Sequence, residues 1–157
     1  MASIDGWRGN VCDIMLGQMP IKCQITVQGC WRDANRMGVP PLTGVYFVYV
    51  GTLIPNENFV RLGRLLHIGQ SLNANSSLLN HGSRSEWSAQ LVEPEELCYA
   101  FASVEGHVLD DVAEALACVL HPDLDAGRSV DGYTKRPIEI AVSAPLAYRI
   151  PSVISLP

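Results

Sequence analysis

The chain has 157 residues, 48% of them hydrophobic, which is enough for one domain with a substantial core and too few for two comfortable ones. Its net charge of −5 is unevenly spread: residues 1–57 balance at four basic and four acidic, 58–85 hold Arg61, Arg64 and Arg84 with no acid, and 86–127 hold ten carboxylates with no Lys or Arg. Such a block opposes a polyphosphate and excludes sequence-independent nucleic-acid binding on that side, while the absence of any long apolar run or leader-like start predicts a soluble, cytoplasmic chain with no membrane span.

Residues 1–10 read as a loose end and 11–16 as a short strand or helical turn. Residues 21–28 (IKCQITVQ) alternate, with Ile21, Cys23, Ile25 and Val27 on one side and polar residues on the other, which predicts a half-buried strand. Pro40-Pro41 interrupts any regular element and marks a boundary between an N-terminal β extension, 1–41, and a core domain, 42–157. Trp7 and Trp31 lie in the extension, and at least one is expected to pack on the core.

Residues 44–51 (GVYFVYVG) predict a strand of β-branched and aromatic residues, followed by a polar loop at 52–59. A second strand is expected at 65–68, then a short helix with Asn73 as N-cap that runs to His81, with Gly82 in the C′ position. Trp87 is expected to close the irregular stretch that follows. Residues 97–104 predict a third strand, 109–120 an Ala- and Leu-rich helix begun by aspartates and ended at His121-Pro122, and 137–143 a late strand before an extended, Pro-punctuated tail. The five cysteines, Cys12, Cys23, Cys30, Cys98 and Cys118, have neither CxxC nor zinc-ligand spacing and read as free thiols.

Set side by side, Gly44-Val45-Tyr46 and His67-Ile68-Gly69 resemble the paired tripeptides that name the GIY-YIG nuclease family. In that family a helix after the second strand presents an arginine and, four residues on, a histidine or tyrosine; those positions match Ser77 and His81. A later helix supplies a metal-holding glutamate, then a proline and an asparagine, which match Glu114, Pro122 and Asp125. Glu96-Leu97-Cys98 is similar to a strand found in one subgroup. The resemblance covers about residues 42–126 and implies an α+β fold, a small and mostly antiparallel central sheet flanked by helices.

Phosphodiester hydrolysis needs a deprotonated water, a cation on the charge of the transition state and help for the leaving oxygen. The resemblance assigns water activation to Tyr46 and His81, and to Glu114 a single Mg²⁺ or Mn²⁺. Ser77 has no charge and cannot replace a guanidinium. His67 in place of tyrosine changes size and pKa, and Asp125 in place of asparagine adds a negative charge where phosphate would sit. Read without the family, Tyr46 is a core residue, His67 a packing residue and His81 a helix-end cation, while Glu114 closes a capping box on the backbone of Asp111.

Two expectations follow. The first is a pseudo-nuclease that keeps the fold and binds a partner, either nucleic acid on the side of Arg61, Arg64 and Arg84 or a basic protein at the acidic 86–127 block; the block read alone is a solvated face. The second is an active metal-dependent endonuclease in which Arg64 or Arg84 substitutes for the missing arginine.

Overall fold

The computed structural model describes residues 19–125, 130–144 and 146–157; the element expected at 11–16 and Trp7 lie outside them. Among the described residues the elements are β1 (Ile21–Arg32), β2 (Gly44–Ile54), β3 (Phe59–Ser71), α1 (Ala74–Leu79), α2 (Arg84–Ser88), β4 (Glu96–Ser103), α3 (Leu109–Leu120), β5 (Ile138–Ser143) and β6 (Val153–Leu156), with short 3-10 turns between some of them. The strands form one six-stranded sheet in the order β3-β2-β4-β1-β5-β6. Only β1 and β5 run parallel; the other pairings are antiparallel. The fold class is therefore α+β with a mixed sheet. The strands expected at 44–51, 65–68 and 97–104 are neighbours in it, and β1 lies between β4 and β5.

The polar loop expected at 52–59 is much shorter than that. β2 and β3 continue as a long hairpin in which Leu53 pairs with Val60 and Ile54 with Phe59, leaving only a turn at 55–58. Asn58 takes the left-handed conformation there, at φ 52°, which asparagine tolerates better than most residues. The tail is also more regular than its sequence suggests, since β6 pairs with β5 from Ile138↔Leu156 to Ala141↔Val153.

β2 is buried on both faces, which is why its sequence is a continuous apolar run. Val45, Phe47 and Tyr49 join the aliphatic cluster beneath α3, with Ala100, Ala102, Val112 and Leu116. Tyr46, Val48 and Val50 face the other way, among Leu66, Leu78, Trp87, Tyr99 and Phe101, and Trp31 packs at the margin of this second cluster. α1 and α2 cover that side through Leu78 and Trp87. Trp87 thus closes the post-His81 stretch as expected.

Candidate functional site

The second face carries the polar chemistry, and a cross-strand pair organises it. Tyr46 stands opposite Gly69 in the β2–β3 register. A Cβ at Gly69 would lie 2.1 Å from Cζ of the Tyr46 ring, so the phenol lies flat over the glycine and any side chain there would displace it. This is the physical reason a Tyr on one strand goes with a Gly on the next.

The β2–β3 register slips between Val48↔His67 and Tyr49↔Leu65, so Leu66 is an extra residue. The bulge lets Leu66 and His67 both serve the Tyr46 face, Leu66 in the core and His67 beside the Tyr46 ring at 6.0 Å between centroids. His67 Nδ1 lies 2.9 Å from Asp125 Oδ1, and Asp125 Oδ2 accepts from the Ile68 backbone N–H at 3.3 Å. The Asp125 carboxylate is therefore turned onto a histidine and a strand amide.

Asn73 caps α1 as expected, accepting from the Ser76 N–H at 3.1 Å. The helix does not reach His81, however. It ends at Leu79 with Asn80 as C-cap, so Gly82 is not its C′ residue and His81 is not a helix-end cation. Released from the helix, His81 turns back to the sheet, where its Nε2 lies 2.9 Å from Tyr46 Oη and its ring packs 4.4 Å from Trp87. Its other nitrogen, Nδ1, accepts from the Ser83 backbone N–H at 3.0 Å. That bond fixes the neutral tautomer: Nδ1 holds the lone pair, Nε2 carries the proton, and Nε2–H donates to the phenol oxygen. Burial, then the neighbouring His67, lower the His81 pKa, which keeps the ring neutral near pH 7. Burial and the Asp125 charge push the Tyr46 pKa up to about 12.

Tyr46, Gln70, Ser76, Ser77 and His81 line an open depression of about 390 Å³. Ser77 shares a 2.6 Å hydrogen bond with Ser71 Oγ. Neither arginine considered as its replacement points there. Arg64 binds Asp123 Oδ2 at 3.0 Å and the Gln90 carbonyl at 2.9 Å, and Arg84 chelates Asp33, which also accepts from Tyr99 Oη at 2.6 Å. Burial of Asp33 disfavours its charge, but the hydrogen bonds from Arg84 and Tyr99 outweigh it and hold its pKa below the usual carboxylate value.

Glu114 lies on α3, which packs on the other face of the sheet. Its Oε1 accepts a long 3.7 Å contact from the Cys118 thiol. The capping box drawn on Asp111 does not form, because α3 begins two residues earlier, at Leu109, and Asp111 instead accepts from Arg136 at 2.9 Å. The link from α3 to the depression is Asp110, one turn before Glu114 on the same helix face: it accepts from Gln70 Nε2 at 2.9 Å and from Lys135 Nζ at 2.6 Å. Sequence reasoning passed over Gln70 and Lys135, which lie outside the motif. Several acids of the 86–127 block are likewise paired across the fold, Glu96 with Arg32, Asp110 with Lys135, Asp111 with Arg136 and Asp123 with Arg64. Among the described residues no three His, Cys, Asp or Glu side chains group as a metal site, and no helix is long and apolar enough to cross a membrane.

The class these features define is an α+β protein with a Tyr–His pair in an open polar depression. Comparison of the chain with family models, curated proteins and solved structures finds no match in any of the three.

Proposed function

We propose that the chain is a catalytically silent relative of the GIY-YIG nucleases, which uses the Tyr46–His81 depression to bind a partner rather than to cleave phosphodiester bonds. The observation that carries this reading is the proton arrangement of the pair. A base that activates water needs an available lone pair, yet His81 Nδ1 is occupied by the Ser83 N–H and Nε2 carries a proton directed at Tyr46. Tyr46, with its pKa raised to about 12, remains a phenol. Ser77 supplies no charge, and Arg64 and Arg84 are held by Asp123 and Asp33. What remains is a set of hydroxyl, amide and imidazole groups suited to hydrogen bonding. Nucleic acid at the Arg61 and Arg64 side of β3, or a basic protein at exposed Glu86 and Glu93, are the partners this reading allows.

A second reading, an active endonuclease, is favoured by one observation: Lys135 brings a cation to Asp110, beside Gln70 of the depression. Glu114 has the oxygen donor chemistry of a Mg²⁺ or Mn²⁺ ligand, since these ions are held through one or two carboxylates and keep several waters. Such an ion would neutralise phosphate charge. In that case Lys135, not Arg64 or Arg84, takes the missing arginine's role.

Plasmid and RNA cleavage separates the two. With Mg²⁺ or Mn²⁺ the unmodified chain is expected to cleave no faster than Glu114→Ala, and Ser77→Arg to gain measurable cleavage. One well-placed charge donor contributes on the order of 10²- to 10³-fold, though the His81 tautomer holds the gain below that. Cleavage by the unmodified chain that disappears on Glu114→Ala and Lys135→Ala would establish the active reading.

A further inference from the structure

The contact between β1 and β4 contains a site that neither the cysteine spacing nor the nuclease resemblance predicts. In the register of these strands Gln28 pairs with Phe101 and Trp31 with Tyr99, so Gly29 and Cys30 together stand opposite Ala100. This is a β-bulge. Gly29 adopts φ 111°, a conformation side chains rarely take, and a Cβ there would meet the Trp31 ring at 2.6 Å. Tyr148 Oη donates to the Gly29 carbonyl, and Tyr49 Oη donates to the Tyr148 carbonyl at 2.9 Å, so the bulge is tied to the core.

The register pairs Arg32 with Cys98, so the bulge places Cys30, two residues before Arg32, on the same side of the sheet as Cys98 and diagonal to it, near enough for the two thiols to influence each other. They differ in access. Cys98 is fully buried, and the space its sulfur occupies depends on Gly51, where a Cβ would lie 2.5 Å from Cys98 Sγ. Cys30 is exposed and lines a depression of about 340 Å³ with Trp31, Arg32, Asn58 and Phe59. Glu96 pairs with Arg32 at its rim.

We propose that Cys30 and Cys98 form a thiol–disulfide exchange site that takes a low-molecular-weight disulfide, with Cys30 as the attacking thiol and Cys98 as the resolving one. The Cys30 thiolate attacks one sulfur of the small disulfide; a mixed disulfide forms and the other half leaves as a thiolate. The Cys98 thiolate then attacks the Cys30 sulfur and expels the second half. The pair loses two electrons and two protons, both gained by the small disulfide, which leaves as two thiols.

The division of roles follows from the geometry. Cys30 has solvent access and a depression large enough for the incoming molecule, whereas Cys98 is fully buried. The neighbouring Cys98 thiol lowers the Cys30 pKa against the opposing effects of burial and Glu96; Cys30, then burial, raise that of Cys98. Deprotonated, an exposed thiol is the better nucleophile. Cys23, by contrast, is raised by burial. Diagonal neighbours on one face of adjacent strands, which run about 5 Å apart, can be brought to bonding distance by a local shift at the bulge.

The test equilibrates the full chain with glutathione disulfide and glutathione, followed by acid quench, alkylation and peptide mass mapping. The expected product in the unmodified chain is a Cys30–Cys98 cross-linked peptide, two hydrogens lighter and reversed by dithiothreitol. Cys98→Ser or Cys98→Ala should stop at the first step and accumulate glutathione on Cys30, at least about tenfold above the unmodified chain. Cys30→Ser should leave Cys98 reduced. The proposal is overturned if Cys30 stays reduced, whether or not another cysteine reacts, if Cys30 bridges to Cys12, Cys23 or Cys118, or if it holds glutathione without passing it on to Cys98. The map of the unmodified chain decides this on its own, whichever variants fold.

Discussion

The two faces of the β2-centred sheet are packed by different chemistries. Beneath α3 the residues packed at the helix are aliphatic and small, Ala100, Ala102, Val112, Ala115 and Leu116, all fully buried, and the hydroxyls of the tyrosines in the same cluster, Tyr49 and Tyr148, bind backbone carbonyls. On the α1–α2 face the polar aromatic groups pair with other side chains instead: Tyr46 finds His81, Tyr99 finds Asp33, and His67 finds Asp125. The aliphatic contacts under α3 are stabilised by exclusion of water and tolerate exchange among apolar residues. A polar aromatic face is stabilised only while each hydroxyl and ring nitrogen keeps its hydrogen bond, so every residue on it is specified. That asymmetry is why the candidate site lies on the second face.

The largest expected effect belongs to the first face. Leu116→Ala should destabilise the fold by about 2–5 kcal/mol in chemical denaturation and leave the His81 and His67 NMR signals of the native state unmoved. Movement of those signals would show that the two faces are coupled. Gly69→Ala sharpens the comparison on the other side. Its Cβ collides with the Tyr46 ring, and a loss of about 1–3 kcal/mol is expected, recovered in part by adding Tyr46→Ala. Additive losses in the double variant would mean that the ring and the glycine do not meet.

Asp33→Ala should cost less, in the lower half of about 1–3 kcal/mol, because Arg84 is partly exposed while the Tyr99 hydroxyl loses its acceptor. The Asp33 pKa is lower in the folded state than in the unfolded one, so the contribution is present above the ordinary carboxylate pKa and lost as pH falls through the folded value. Acid denaturation of the unmodified chain and of Asp33→Ala should therefore converge at low pH. His81 gives the smallest effect. Its pKa is lowered on folding, so the unfolded chain binds more protons between the folded value and the ordinary value of about 6.5, and stability rises with pH across that window. His81→Gln should flatten the slope there; an unchanged slope would assign it to another group.

The strands at 44–51, 65–68 and 97–104 were legible because alternation and β-branched runs are local signals. So were the Asn73 cap and the α3 helix. The hairpin extension was not, because Pro55, Asn56, Glu57 and Asn58 read as the centre of a loop, while the pairing of Leu53 with Val60 depends on a partner strand. The end of α1 was misplaced because Gly82 offered a familiar stop, whereas the chain stops earlier so that His81 can reach Tyr46, 35 positions away. The Asp33–Arg84–Tyr99 network and the placing of Cys30 beside Cys98 join segments 51 to 68 residues apart and follow from the placement of β1 beside β4, which no local pattern encodes. Of the residues the resemblance pointed to, the fold brings Tyr46, His67 and His81 together and lines the depression with Ser77, but the direction of each hydrogen bond depends on backbone amides such as that of Ser83.

That direction is the centre of the account, and nitrogen-15 NMR of the His81 ring at pH 7 reads it directly. The account predicts a neutral imidazole protonated at Nε2, with Nδ1 as acceptor, and a Tyr46 phenol that stays protonated through pH 10. A ring protonated at Nδ1, or a Tyr46 that ionises below pH 10, would leave the pair able to accept a proton from water and would contradict it.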